Sequence, residues 1–113
     1  MDFPHPLPEP LVDLIAERFR VIGEPMRIRL LDALRDGDAT VGELAERLAA
    51  SQQNVSKHLG VLHRAGIVGR QRQGTSAIYS ISDDSVFDLC EQVCGGLRKQ
   101  AGERDQILSA VAS

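Results

Sequence analysis

The chain has 113 residues, of which 42% are hydrophobic, and a formal net charge of −3. This length suits one domain with a small core, and no apolar run approaches the roughly 20 residues that span a bilayer. The first ten residues lack the basic start and apolar stretch of a signal peptide, so we expect a cytoplasmic protein without a membrane partner.

The proline distribution predicts where the folded part begins. Four of the five prolines lie in the first ten residues, which predicts a non-helical arm at 1–10 and a folded domain at 11–113. Pro25 suits the first turn of a second helix, which Gly37 ends. Before it, apolar residues at helical spacing predict a first helix through Leu11, Leu14, Ile15, Phe19 and Ile22.

Two further short helices follow, separated by the sequence Ala-Ala-Ser. Thr40, with Glu43 three positions later, predicts a capping box at the start of the third helix. Ser51 is a natural N-cap for the fourth. The fourth helix has a buried stripe and a polar face: the stripe is Val55, Leu59 and Leu62, and the polar face is Gln52, Gln53, Asn54, Ser56, Lys57 and His58.

The rest of the chain has the sequence signals of two strands, followed by those of one long helix. Residues 67–72 and 77–81 predict two strands around a glycine-containing hairpin loop. From Ser82 or Asp83 a long helical pattern continues to the C-terminus, and Gly95 and Gly96 within it indicate either a close helix approach or a break. The predicted fold is mainly α with a small β-hairpin, in the order α-α-α-α-β-β-α.

The fourth helix and the hairpin contain no acidic residue. Between Ser51 and Ser82 the chain has four Lys or Arg and no Asp or Glu, whereas the remainder has nine basic and 16 acidic residues. A phosphate-facing surface excludes carboxylates, because each one opposes the counterion release that drives non-specific binding. Two short helices followed by a basic hairpin therefore predict a winged helix-turn-helix that binds double-stranded DNA. A solvated helix and hairpin without DNA contact is the alternative.

The residue types on this surface suit two kinds of DNA contact. Amide and hydroxyl side chains at the start of the fourth helix match the donors and acceptors of base edges in the major groove. Basic residues there and on the hairpin suit phosphates or the minor groove. The predicted DNA-binding residues are Ser51, Gln52, Gln53, Asn54, Ser56, Lys57, His58, Arg70, Arg72 and Gln73.

The stretch SQQNVSKHLGVLHRAGIVGRQRQGTSAIYSI resembles the recognition helix and wing of the ArsR-type (ArsR/SmtB) family of winged-helix repressors. The resemblance extends to IGEPMRIRLLDAL and TVGELAERL. It implies a homodimer, formed through the first and last helices, that binds a pseudo-palindromic operator and responds to an inducer, commonly a metal ion. The two recognition helices would enter successive major grooves about 34 Å apart.

The effector is not evident from the resemblance. GELAERLAA lacks the cysteine pair that some family members carry in the third helix, and no histidine after His63 completes a zinc set on the last helix. The last helix instead has Cys90 and Cys94 four residues apart, and thiolates suit arsenite, Cd(II), Hg(II) or Zn(II). The alternatives are buried packing residues, or redox thiols that respond to an oxidant.

A second candidate metal site lies in the N-terminal arm. His5, with Asp2 and the terminal amine, offers nitrogen and oxygen ligands for Ni(II) or Co(II), completed by Asp13 or Glu17. A surface histidine without a ligand role is the alternative. We expect no organic cofactor.

The sequence argues against an enzyme, because it has no glycine-rich phosphate loop and no nucleophile beside a base. The preferred hypothesis is a metal-responsive, DNA-binding repressor. There are two alternatives. One is a thiol redox-sensing regulator, and the other is a winged-helix protein-interaction module that does not recognise a DNA sequence.

Overall fold

The computed structural model describes residues 3–102, and the chain divides into two compact units between Asp83 and Asp84. The first unit contains four helices and a small sheet, and the second contains the last helix. The helices are α1 (Glu9–Ile22), α2 (Pro25–Leu34), α3 (Val41–Arg47), α4 (Gln52–Arg64) and α5 (Ser85–Ala101), and the strands are β1 (Ala39–Thr40), β2 (Val68–Gln73) and β3 (Ser76–Ile81). This order confirms the predicted fold class.

The sheet has one strand more than the sequence predicted. Its order is β1-β3-β2, and both pairs are antiparallel. In β1, Ala39 lies opposite Tyr79 and Thr40 lies opposite Ile78. A two-residue strand is too short to show an alternating pattern, so periodicity could not reveal it.

The N-terminal arm is shorter than predicted. Helix α1 begins at Glu9, with Pro8 as its N-cap residue, so the expectation of a non-helical segment through Pro10 is wrong for its last two residues. Proline is tolerated in the first helical turn, because the N–H that it lacks would have no partner there. The division into an arm at 1–10 and a domain at 11–113 stays a prediction.

Helix α4 lies at the centre of the first unit. Its predicted stripe of Val55, Leu59 and Leu62 is completely buried. Leu30 from α2 and Leu44 from α3 are also completely buried, and both helices pack against α4. Burying a leucine contributes about 1.5 to 3 kcal/mol relative to exposing it, so this cluster fixes which face of α4 points outward.

A capping box begins α3, and a turn and a second cap begin α4. The Thr40 hydroxyl accepts from the backbone N–H of Glu43, whose carboxylate accepts from the backbone N–H of Thr40, which confirms the predicted capping box. These bonds with Thr40 hold the pKa of Glu43 below its usual value. Ala49 adopts a left-handed conformation (φ 53°) in the turn, and the hydroxyl of Ser51 accepts from the backbone N–H of Asn54, as predicted for an N-cap.

Helix α1 is only partly covered in the first unit. Ile22 is buried, but Leu14 is 67% exposed and Phe19 is 54% exposed, and Val12 is exposed as well. The predicted helical spacing is therefore correct, whereas much of the apolar face lies open in this single chain.

Helix α5 starts later than predicted, at Ser85, and runs without a break through Gly95 and Gly96. The predicted continuation to the C-terminus lies outside the described residues beyond Gly102. Among the described residues, no helix has the length and apolar character needed to cross a membrane.

Candidate nucleic-acid interface

The outward face of α4 is polar and carries no acid. Ser51, Gln52, Gln53, Ser56 and Lys57 are exposed, whereas Asn54 is half-buried. The core stripe on the opposite side holds this face outward. The predicted DNA contacts at the start of α4 thus have the accessibility that base recognition requires, except that Asn54 is less open than its neighbours.

The N-terminal end of α4 also favours an anion. The first helical turn contains no acidic residue, and its positive dipole end lies on the same side as Lys57. Ser51, Gln53, Asn54 and Lys57 line a shallow depression at this end. The arrangement can accept a phosphate group beside donors that face base edges.

The predicted basic residues of the hairpin lie on β2. Arg70, Arg72 and Gln73 are exposed. Arg70 and Arg72 are two positions apart in the strand, so their side chains leave the same face of the sheet. Gly74 turns the chain with a φ of 64°, a conformation that favours glycine. The hairpin therefore presents two guanidinium groups side by side.

A cleft that sequence reasoning missed lies between the hairpin and the start of α3. Its volume is about 350 Å³, and it is lined by Thr40, Val41, Gly42, Gln52, Thr75, Ser76 and Ala77. Gln52 thus belongs both to the outward face of α4 and to this cleft. The hydroxyl groups of Thr75 and Ser76 were visible in the sequence, but their place beside the start of α3 follows from the pairing of β1 with β3.

His58 does not belong to the exposed face, so its predicted place on the polar side of α4 is wrong, and this burial argues against the predicted DNA contact. Its residue exposure is 8%, and its ring lies against Arg27 and Glu24. The physical reason is its position in the helix: together with Val55, Leu59 and Leu62 it follows the i, i+3, i+4, i+7 spacing of the buried stripe. That spacing was visible in the sequence.

Arg27 connects three elements at this point. Its Nη1 is 3.0 Å from His58 Nδ1 on α4, its Nε donates to the Val21 carbonyl at 2.5 Å, and its Nη2 donates to the Arg20 carbonyl at 3.4 Å. Glu24 caps α2 by accepting from the backbone N–H of Arg27 at 3.1 Å. Nothing in the sequence indicated this cluster, because Arg27 and His58 are 31 positions apart.

Several effects act on the Glu24 carboxyl in this cluster. Its partial burial acts to raise the pKa of Glu24. The backbone N–H groups of Arg27 and Met26, with the charge of His58 in its protonated form and the charge of Arg27, outweigh that effect and leave the pKa of Glu24 below its usual value. Glu24 is therefore ionised at neutral and mildly acidic pH.

The candidate metal ligands are two cysteines on α5 and a histidine in the N-terminal arm. Cys90 is half-buried and Cys94 exposed on α5, and both are free thiols. His5 is exposed, while Asp2 lies outside the described residues. Within residues 3–102 of one chain, no three His, Cys, Asp or Glu side chains are grouped so that they could hold a metal ion.

Comparison with known proteins places this geometry in a family. The family described as "Helix-turn-helix domain" matches residues 22–70. The HTH-type transcriptional regulator Rv0081 of Mycobacterium tuberculosis is 43% identical over 82 residues, which are 72% of each protein. The transcriptional repressor SmtB of the same organism is 36% identical over 87 residues, 77% of this chain and 64% of that protein.

Solved structures agree with the sequence comparison. The crystal structure of Rv0081 matches with a TM-score of 0.75 and 38% identity, over 86% of this chain and 98% of that one. The homodimeric winged helix-turn-helix DNA-binding domain of Mb0332 from Mycobacterium bovis, a possible ArsR-family regulator, matches with a TM-score of 0.71 at 21% identity, over 91% and 99%. This second likeness shows the fold.

The relatives and the fold are those of DNA-binding regulators and not of enzymes. The sequence resemblance, the winged helix-turn-helix architecture and the identity to Rv0081 agree. The chain therefore belongs to the ArsR/SmtB family of winged helix-turn-helix transcriptional regulators.

Proposed function

We propose that this regulator is a cytoplasmic repressor that binds a pseudo-palindromic operator as a homodimer. The observation that carries the proposal is the outward face of α4, which is exposed, amide-rich and free of carboxylates in a chain of net charge −3. The exposed guanidinium groups of β2 extend the same chemistry. A DNA duplex is the partner that fits both, because its phosphates attract the positive charges and its base edges form hydrogen bonds with the amide side chains.

Exposed apolar side chains support the homodimer. In the first unit Val12, Leu14 and Phe19 are open on α1, and in the second unit Val93 and Leu97 are open on α5. Large exposed apolar surface on a small domain marks an interaction site. The solved domain of Mb0332 is homodimeric, which favours a second copy of this chain as the partner of these helices.

The experiment that tests the proposed function compares two DNA duplexes. Labelled DNA from upstream of the protein's own gene and a random duplex of equal length are titrated by fluorescence anisotropy at moderate salt. A specific regulator binds its operator about 10³-fold or more tightly than random DNA. Equal affinity for both duplexes would contradict the proposal and favour the protein-interaction module.

Gln53→Ala tests the assignment of base recognition to α4. The side chain is exposed at the start of the helix, and a lost bidentate base contact costs about 1 to 3 kcal/mol. We expect operator binding to weaken while binding to random DNA changes little, so that the specificity ratio falls. Competition binding with the two duplexes measures that ratio, and an unchanged ratio would remove Gln53 from the base contacts.

Arg72→Ala tests the assignment of phosphate contacts to the hairpin. We expect operator and random DNA to lose affinity about equally. Each phosphate contact contributes about 0.9 to the slope of log affinity against log salt, so the slope should fall by about 1 per protomer. Anisotropy titrations over a salt series measure this change. If Arg72→Ala altered only the sequence preference, the hairpin would be a base reader instead.

We further propose that a thiophilic metal ion is the effector, bound through Cys90 and Cys94. The two thiols are four residues apart on α5, so their side chains share one side of that helix. One chain supplies only these two thiol ligands here, and no group of three candidate ligands exists within residues 3–102. A site of three or four thiolates therefore requires the same two cysteines from a second copy.

The double variant Cys90→Ser, Cys94→Ser tests the metal site. Thiolates are the ligands that such ions select, whereas serine hydroxyls bind them poorly, so we expect Cd(II) binding to fall from about one ion per dimer to none. Calorimetric titration measures the stoichiometry. An unchanged stoichiometry would redirect the search to His5. Reversible loss of operator binding in peroxide, abolished in the double variant without any metal binding to the wild type, would favour a redox sensor.

A further inference from the structure

The buried histidine of the recognition helix has no role in the DNA contact described above. His58 lies in the middle of α4, on the side that packs against the rest of the first unit. Its Nδ1 has two close polar neighbours, Arg27 Nη1 at 3.0 Å and Glu24 Oε2 at 3.4 Å. A histidine between a cation and a carboxylate can exchange one partner for the other when it takes up a proton.

The two contacts at Nδ1 require different protonation states of the ring. A guanidinium group has only donors, so Nδ1 must be the acceptor in the bond with Arg27. In that bond the ring is neutral, with its proton on Nε2, whereas the contact with Glu24 Oε2 requires a proton on Nδ1. Proton uptake would place an N–H opposite the guanidinium and abolish this bond, and the new N–H would instead face Glu24, which already caps α2.

The bond matters for α4 because Arg27 also holds the end of α1. Arg27 donates to the carbonyls of Val21 and Arg20, in the last turn of α1. Further along, Arg18 of α1 donates to the carbonyl of Ala65, the C-cap residue of α4, at 3.2 Å. Helix α4 is thus held to α1 at its C-terminal end by Arg18, and through Arg27 at His58, which is nearer to the DNA-facing end.

The other charged groups on the elements packed against α4 do not compete for His58. Among the described residues, the charged side chains recorded against its ring are those of Glu24 and Arg27. The other charged side chains on the neighbouring elements either have partners of their own or are exposed. Those with partners include Arg18 with Asp83, Arg20 with Glu17, Arg47 with the Ala33 carbonyl and Glu43 with Thr40. Those that are exposed include Glu46, Arg70 and Arg72.

We propose that Arg27 and His58 are positioning residues that hold the recognition helix in its DNA-binding orientation while His58 is neutral, and that protonation of His58 releases this hold and weakens operator binding. This inference rests on the proposed DNA-binding function. Operator affinity then decreases in acid, opposite to the usual trend, in which added positive charge strengthens DNA binding.

The test measures operator affinity at about pH 8 and about pH 5.5, which bracket the ordinary titration of histidine. In the wild type we expect the dissociation constant to rise at least about five-fold on acidification, the lower end of typical coupling between sites. His58→Asn keeps a neutral acceptor in the position of Nδ1 and cannot take up a proton in this range. We expect it to bind as the wild type does at pH 8 and to keep that affinity in acid.

His63→Asn is the matched control. His63 is on the same helix but exposed, so this variant removes one titratable histidine without touching the Arg27 contact. We expect its pH profile to follow that of the wild type. Identical pH profiles for the wild type and His58→Asn would overturn the inference, even if operator binding at pH 8 is specific. Absence of operator preference at pH 8 would instead overturn the proposed function.

Arg27→Lys is a second variant that tests the same inference if His58→Asn does not fold. Lysine keeps the charge but lacks the planar fork that reaches Val21 and His58 together. We expect this variant to show, already at pH 8, at least about a five-fold loss of operator affinity and little further loss in acid. Full operator affinity with a wild-type pH profile would refute the positioning role of Arg27.

Discussion

Replacing Lys57 by glutamate is expected to weaken operator binding by about 100-fold at moderate salt. Lys57 is exposed on the outward face of α4 beside the positive end of the helix. The substitution removes a cation and sets a carboxylate against phosphate in each protomer. A loss of about 1.4 kcal/mol per protomer corresponds to a factor of ten each, and two protomers in one dimer multiply these factors.

Fluorescence anisotropy with the operator duplex measures this loss, and Arg29→Glu is the control. Arg29 is an exposed residue of α2, and its reversal changes the net charge by the same amount without altering the outward face of α4. We expect the control to weaken binding far less, through the general charge of the molecule alone. Equal losses in the two variants would mean that net charge, and not the surface of α4, determines affinity.

Leu59→Ala is expected to lower the free energy of unfolding by about 2 to 5 kcal/mol. Leu59 is completely buried in the stripe of α4, a helix that packs against α2 and α3, so its truncation leaves a cavity in the core. Since small domains are stable by only about 5 to 15 kcal/mol, this loss is a large part of the total. Urea denaturation at fixed protein concentration measures it, because dimerisation makes stability depend on concentration.

Ile28→Ala is the matched comparison for the core variant. Ile28 is an aliphatic residue of α2 that is 44% exposed, so we expect its truncation to cost less than about 1 kcal/mol. A loss for Leu59→Ala as small as that for Ile28→Ala would show that the packing around α4 rearranges to fill the space.

The sequence was sufficient for the fold where local rules apply. The capping box of Thr40 and Glu43, the N-cap at Ser51 and the stripe through Leu59 depend on neighbours within one or two helical turns, and all are present. The absence of acids from Ser51 to Ser82 depends on composition alone. These signals can be recognised in the sequence without any knowledge of the tertiary structure.

Tertiary pairing explains most of what the sequence did not reveal. Strand β1 exists because two residues meet β3, far along the chain. The Arg27 contact joins residues from different helices, and it gives the buried His58 a partner. Ala49 has a left-handed backbone that usually indicates glycine, so the turn before α4 gave no residue signal. The misassignment of His58 was different, because its helical position already indicated the buried side.

Thr40 has two structural roles, because it pairs with Ile78 in the sheet and is also the N-cap residue of α3. Thr40 consequently couples the hairpin to the helical scaffold, so the two cannot be exchanged independently. A chimaera that takes only residues 68–81 from a relative would lose the match at this junction. Grafts intended to change operator choice should therefore transfer Ala39 and Thr40 together with the hairpin.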